Sequence, residues 1–256
     1  MSSHTWTPDA LSSEFHAYDG RCWRLVESQH IASTMKLVDS VDEQKLLEDL
    51  IDATKPPISD SLKNYRYLLF TPFRYSPPPP KGSRFRRAGQ VDGVFYGSER
   101  VETAVAEMGF FRVLFFAESP ETTLPSNPAE YRAFTADISS DKAIDLTHSP
   151  FSMNAAAWTA TNTYVECQAL ADNARAAGAE VIRYQSVRCP DGGANLAVLS
   201  EAAFASTHES NQQSWKIHVT RTSVFAICEC PIKRLEFSIE DFANDDRIAS
   251  WLKQAG

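Results

Sequence analysis

A chain of 256 residues with 43% hydrophobic and 23% charged positions is long enough to bury one sizeable core and has the balance of a folded globular protein. Its formal net charge of −8 excludes the basic footprint with which nucleic-acid binders engage phosphates, so any DNA contact has to come from a partner. No apolar run approaches the ~18 residues of a membrane span, and the N-terminus lacks a basic segment followed by an apolar core; a cytoplasmic protein without a secretory signal is expected.

In chain order, residues 1–20 read as a polar arm with isolated aromatics. Residues 21–26 (RCWRLV) predict a short strand whose apolar members flank Arg24. Ser40 and Glu43 have capping-box spacing, and Val41, Leu46, Leu47, Leu50 and Ile51 follow at helical intervals, predicting a helix that stops before Pro56-Pro57. Residues 67–71 (YLLFT) read as an apolar strand running into Pro72, Phe73, Arg74 and Tyr75. Prolines 77–80 then form a stiff, extended connector into a loop at 81–93. A strand at 94–97 leads to a helix capped by Ser98, with Val101, Ala104, Val105 and Met108 on one face. Residues 110–117 are apolar and aromatic enough to predict a buried strand. Further strands are expected at 131–138, 143–146, 181–184, 194–199, 215–220 and 223–229. A helix at 164–177 meets Gly178 in the stop position, and a closing helix is expected over 241–254.

Strands outnumber helices and do not alternate with them, which argues for an α+β fold with a mixed or antiparallel sheet. Residues 1–60 read as an arm and helical extension that supplies one core strand, and 61–256 as the main domain. The five cysteines have neither disulfide-framework nor zinc spacing, and the six histidines form no metal motif, so no metal is expected. Cys228 and Cys230 alternate along an apolar run and read as small apolar strand residues. GxGxxG, P-loop and GxSxG signatures are absent.

Several residues could carry chemistry, and each has a bland alternative. Arg84 lies in a loop between Gly82 and Gly89, where backbone can approach a ligand and a guanidinium can grip a diphosphate; with Arg86 and Arg87 beside it, composition alone favours a solvated basic loop. Tyr96 lies on the face opposite Phe95, as a core tyrosine would. Periodicity does not choose between Glu102 and Glu107, but Ala106, Met108, Phe110 and Phe111 give Glu107 the more apolar surroundings. Ser186 sits at a strand end before Gly192-Gly193, where an ordinary turn hydroxyl is also at home. Arg24 and Arg74 are cations among apolar residues that a salt bridge would explain.

The pieces GSRF at 82–85, GVFYGS at 93–98, TAVAE at 103–107, YQSVR at 184–188 and GGAN at 192–195 occur together, with Trp23-Arg24 and LLFTPFRY at 68–75 before them. In this order the chain resembles the RES domain family, toxins of RES-Xre toxin–antitoxin modules, and its longer, ParT-like branch. Arg86 stands where the family often has Asn. The resemblance implies a fold like that of ADP-ribosyltransferase toxins, with NAD as substrate. It implies a catalytic set of Glu107, Arg84, Tyr96 and Ser186, with Arg24, Arg84, Tyr96, Ser98 and Arg74 binding NAD. The implied reaction is ADP-ribosyl transfer to a host protein, with phosphoribosyl pyrophosphate synthetase as the implied target. NAD hydrolysis or phosphorolysis, or an inactive partner-binding module, are the alternatives. The implied partner is an Xre-type, helix-turn-helix antitoxin.

Overall fold

The computed structural model describes residues 6–28, 34–35, 37–75 and 82–255, so the proline connector at 77–80 lies outside the described residues. The elements follow as α1 (Pro8–Ser13), β1 (His16–Glu27), α2 (Val41–Ala53), α3 (Tyr67–Arg74), β2 (Phe95–Ser98), α4 (Val101–Ala117), β3 (Ala129–Asp145) and α5 (Ala155–Trp158). After them come α6 (Val165–Ala177), β4 (Val181–Gln185), β5 (Ala194–Val198), β6 (Ser210–Val219), β7 (Ser223–Glu229), β8 (Ile232–Ser238) and α7 (Asp246–Ala255).

All strands join one sheet in the order β1-β2-β5-β4-β3-β6-β7-β8, and β1 also pairs with β3. That extra pairing closes β1, β2, β5, β4 and β3 into a ring, from which β6, β7 and β8 extend. Among the described residues only β3 and β4 run parallel. The fold is therefore α+β with a mixed sheet, as predicted. β3 carries the closure: its first half lies between β1 and β6, and its last residues turn onto β4. The sequence suggested two strands here, because polar Ser139 to Lys142 interrupt the apolar pattern of one continuous element.

Two helices lie where local signals placed them. Ser40 Oγ accepts the Glu43 N–H at 3.2 Å and the Glu43 carboxylate accepts the Asp39 N–H at 2.9 Å, starting α2. Gly178, at φ 84°, ends α6 in the left-handed conformation that glycine adopts without strain.

Elsewhere tertiary packing overrides the local reading. Residues 67–71 are helix, not strand: a short apolar run has no readable period, and α3 seats Leu69 in a buried cluster with Phe95, Phe134 and Phe204. Pro72 lies inside α3, which ends two residues later. The strand expected at 110–117 is the second half of α4, a single helix of 17 residues buried on more than one face, so its sequence carries little amphipathic signal. Gly109 lies within it because a Cβ there would stand 3.2 Å from Val224 Cγ1 on β7. The expected arm is α1 and the start of β1; Leu11 is fully buried, and the Trp6 ring lies 4.3 Å from that of Phe151. The closing helix begins at Asp246, after a 3-10 turn over Ile239–Phe242, and β8 was not anticipated. Cys228 is buried on β7, whereas Cys230 is exposed beyond its end. Among the described residues no helix is long and apolar enough to cross a membrane.

α4 and α7 pack with β3, β6, β7 and β8 in one core; α1, α5 and α6 pack with β4, β5 and the Arg84 loop in another. The edge of α4 nearest β2 and β5 borders a cavity between these cores.

Candidate active site

Strand register sets one wall of that cavity. Trp23 on β1 faces Ser98 on β2, Ser98 faces Asn195 on β5, and Asn195 faces Tyr184 on β4. Side chains directly opposite share a face. All four line a cavity of about 300 Å³. Glu107, from the second turn of α4, also lines it, with Arg24, Arg84, Tyr96, Tyr164 and Arg188.

Glu107 is held by two donors. Ser186 Oγ and Asn195 Nδ2 each lie 2.7 Å from Oε1. The Ser186 oxygen accepts the Arg188 N–H at 3.3 Å and the Cys189 N–H at 3.2 Å, so its own hydrogen is directed to Glu107. Asn195 is oriented likewise, because Ser98 Oγ donates to Asn195 Oδ1 at 2.6 Å and turns the amide NH₂ toward the carboxylate. Both bonds fall on Oε1, and among the described residues Oε2 has no hydrogen-bond partner. Glu102, which helical periodicity alone did not separate from Glu107, accepts from Lys233 Nζ at 2.6 Å and does not line the cavity.

The arginine loop is braced from inside. Ser83 and Arg86 exchange backbone hydrogen bonds, and at Gly82 a Cβ would stand 2.5 Å from the Arg86 carbonyl oxygen, so only glycine fits. The Tyr96 hydroxyl accepts the Phe85 N–H at 3.0 Å and bonds Ser83 Oγ at 2.9 Å. Burial pushes the Tyr96 pKa up, which keeps this hydroxyl protonated and able to donate to Ser83. Arg86 Nη2 donates to the carbonyls of Gln90 and Val91, both at 3.0 Å. Its guanidinium thus ties the loop together, and Arg86 does not line the cavity.

Three arginines meet at the cavity. Arg84 Nη1 donates to the Trp158 carbonyl at 2.7 Å, and its guanidinium lies 4.7 Å over the Tyr164 ring. Arg24 Nη1 donates to the Tyr96 carbonyl at 2.8 Å, its guanidinium over Phe95. Burial pushes the Arg24 pKa down to about 10, which leaves it cationic at neutral pH. Arg188, 3% exposed, donates through Nη2 to Asp245 and to the Thr161 carbonyl, both at 3.1 Å, and lies over Phe110. Arg24 Nε and Arg188 Nη1 are buried and have no hydrogen-bond partner among the described residues. A ring of arginines with N–H groups left over beside a fixed carboxylate suits a substrate with anionic groups at one end and a centre of developing positive charge at the other.

The sequence model of the RES domain family matches residues 59–220. The chain belongs to the RES domain family. No curated protein matches the sequence. Among solved structures, a chain of the M. tuberculosis MbcT–MbcA toxin–antitoxin complex is similar, at 14% identity and a TM-score of 0.46, over 82% of this chain and 91% of that one. The RES match begins after β1, so Trp23 and Arg24 enter the cavity from outside the matched region.

Of the residues singled out in sequence, the fold brings Glu107, Arg84, Tyr96, Arg24 and Ser98 to the cavity wall, and Ser186 behind Glu107, which it reaches by its hydrogen bond. Ser98 is not the cap of α4: that position is Arg100, and Ser98, in β2, is buried behind Asn195. Arg74 is not brought there. Its Nε donates to the Pro56 carbonyl at 2.6 Å, and it ties the end of α3 to the segment after α2. Asn195, Arg188, Tyr164 and Tyr184 were missed. Asn195 had a legible signal, being the polar residue within the otherwise apolar run ANLAV. Tyr184, its pKa raised well above the usual value by burial and then by Glu107, is a neutral wall residue. Among the described residues no group of three or more His, Cys, Asp or Glu could hold a metal ion.

Proposed function

We propose that this RES domain chain is an NAD-consuming toxin that breaks the nicotinamide–ribose bond and transfers ADP-ribose to a host protein. The observation that carries the reading is the Glu107 carboxylate, fixed through Oε1 by Ser186 and Asn195 with Oε2 left over, in a cavity walled by Arg24, Arg84 and Arg188.

The chemistry follows from where charge moves. As the bond from ribose C1′ to the pyridinium nitrogen breaks, its electron pair neutralises the nicotinamide and positive charge develops on the ribose. Glu107 stabilises that charge more than it stabilises the uncharged sugar, and so lowers the barrier. Arg84 and Arg24 hold the diphosphate. Tyr96 keeps the Arg84 loop in place through its hydroxyl, and its ring borders the nicotinamide side. Ser186, Asn195 and Ser98 behind them hold the carboxylate at one orientation. An acceptor nucleophile then bonds to C1′ and gives up its proton.

The resemblance to the ParT-like branch favours a protein acceptor, with phosphoribosyl pyrophosphate synthetase as the candidate target, and an Xre-type antitoxin as the neutralising partner. Labelled NAD incubated with the purified chain, with and without host lysate, tests the reading. Label on a protein band supports transfer. Free ADP-ribose or its 1-phosphate moves the function to NAD degradation, and unchanged NAD overturns an enzymatic role in favour of partner binding.

A further inference from the structure

Among the described residues β8 is the last strand in the sheet order and pairs only with β7. Its inner side chains are committed: Lys233 bonds Glu102 on α4, and Leu235 and Phe237 pack into the core. Its outer side chains, Ile232, Arg234, Glu236 and Ser238, are exposed. Arg234 and Glu236 form no side-chain hydrogen bond or ion pair among the described residues. Next to them on β7, Ile227 lies opposite Arg234 and Phe225 opposite Glu236, both exposed apolar residues. A free strand edge of this kind offers a row of backbone donors and acceptors to another strand.

We propose that β8 is an interface between two copies of this chain, paired antiparallel about a twofold axis through Leu235. The register is set by charge and by face. With Leu235 opposite the partner's Leu235, Arg234 stands opposite the partner's Glu236, and twofold symmetry makes the same contact twice. The outer face then reads Ile227, Arg234, the partner's Glu236 and the partner's Phe225 in one row, so each new ion pair is flanked by apolar side chains that shield it. Shifting one strand by two residues sets Arg234 against the partner's Arg234, or Glu236 against the partner's Glu236, which repels. Shifting by one residue turns core-facing side chains outward. Only the Leu235 register satisfies both conditions. A second copy is thus a better fit to this edge than a strand of unrelated charge pattern. No residue of β7 or β8 lines the Glu107 cavity, and the inference does not depend on the reaction carried out there.

The test is the oligomeric state of the purified full chain by sedimentation over a range of concentration and salt. A concentration-dependent dimer that weakens with salt is expected. Arg234→Glu alone and Glu236→Arg alone each replace two attractive contacts with two repulsive ones, and each should raise the dimer dissociation constant about tenfold or more. The double variant Arg234→Glu/Glu236→Arg restores opposite charges across the axis and should recover dimerisation. Thermal melting confirms that each variant is folded. A wild-type chain that is monomeric at every concentration overturns the proposal. So does a dimer indifferent to either single reversal, or a double variant no better than the singles.

Discussion

Glu107→Gln removes one charge and little else. The glutamine carbonyl can still accept from Ser186 Oγ and Asn195 Nδ2, which lie 2.7 Å from the native Oε1, so the α4–β5 contact is preserved. What disappears is the attraction between a carboxylate and the ribosyl charge of the transition state. At about 4 Å and an effective dielectric near 20, a full unit charge is worth about 4 kcal/mol, and half a charge about 2 kcal/mol. At about 1.4 kcal/mol per decade, kcat should fall roughly 30- to 1,000-fold. Nicotinamide release under saturating NAD measures kcat, and NAD titration shows whether ground-state binding survives. KM should change far less than kcat, with an unaltered melting temperature. Glu102→Gln is the matched control: it removes the charge of the ion pair with Lys233 outside the cavity and should leave the rate close to wild type. The assignment of Glu107 fails if a folded Glu107→Gln chain turns over NAD at nearly the native rate.

Ser186→Ala removes one of two donors to Glu107 and the acceptor of the Arg188 and Cys189 N–H groups. A charge-assisted bond of about 1.5–3 kcal/mol predicts a rate loss of about 10- to 100-fold, and the stranded N–H groups a stability loss of about 1–3 kcal/mol, read by kinetics and denaturant titration. Gly82→Ala forces a Cβ toward the Arg86 carbonyl at a position with φ 68°, so the Arg84 loop cannot close. NAD binding should be lost while circular dichroism stays native, and tight binding by this variant would show that the loop does not hold the substrate. Glu99 has its pKa lowered first by its hydrogen bonds from Arg183, at 2.7 and 3.0 Å. A lowered folded pKa stabilises above the unfolded value of about 4.3 and is lost as pH falls through the folded one. Glu99→Gln should therefore lower stability at neutral pH and flatten its decline on acidification; parallel acid-unfolding curves would contradict this.

Signals that act within a few residues were legible in the sequence. The Ser40 cap, the Gly178 stop and the strands around Tyr96 and Asn195 each follow from neighbouring chemistry, and they emerged close to the expected positions. Elements whose identity depends on remote packing were not. Residues 67–71 and 110–117 are short, largely apolar runs without a readable period, so only the surfaces that bury them distinguish helix from strand. The edge strand β8 alternates weakly, because apolar Ile232 lies on its exposed face and Lys233 on the face toward α4, where Glu102 pairs with it.

For the site the division is similar. The order of GSRF, GVFYGS, TAVAE and YQSVR along the chain determined the RES family and named Arg84, Tyr96, Glu107 and Ser186, because these short motifs carry residue types that are recognisable without coordinates. Helical periodicity left Glu102 and Glu107 on two flanks of one helix, and the tertiary structure shows how the preferred Glu107 reaches the cavity while Glu102 turns to Lys233. The tertiary structure also decided that Arg74 is a tether between helices, that Arg86 closes a loop, and that Asn195 shares the carboxylate with Ser186. These residues are separated by up to 88 positions in the chain, and hydrogen-bond partners at that distance are set by strand register and not by sequence neighbourhood.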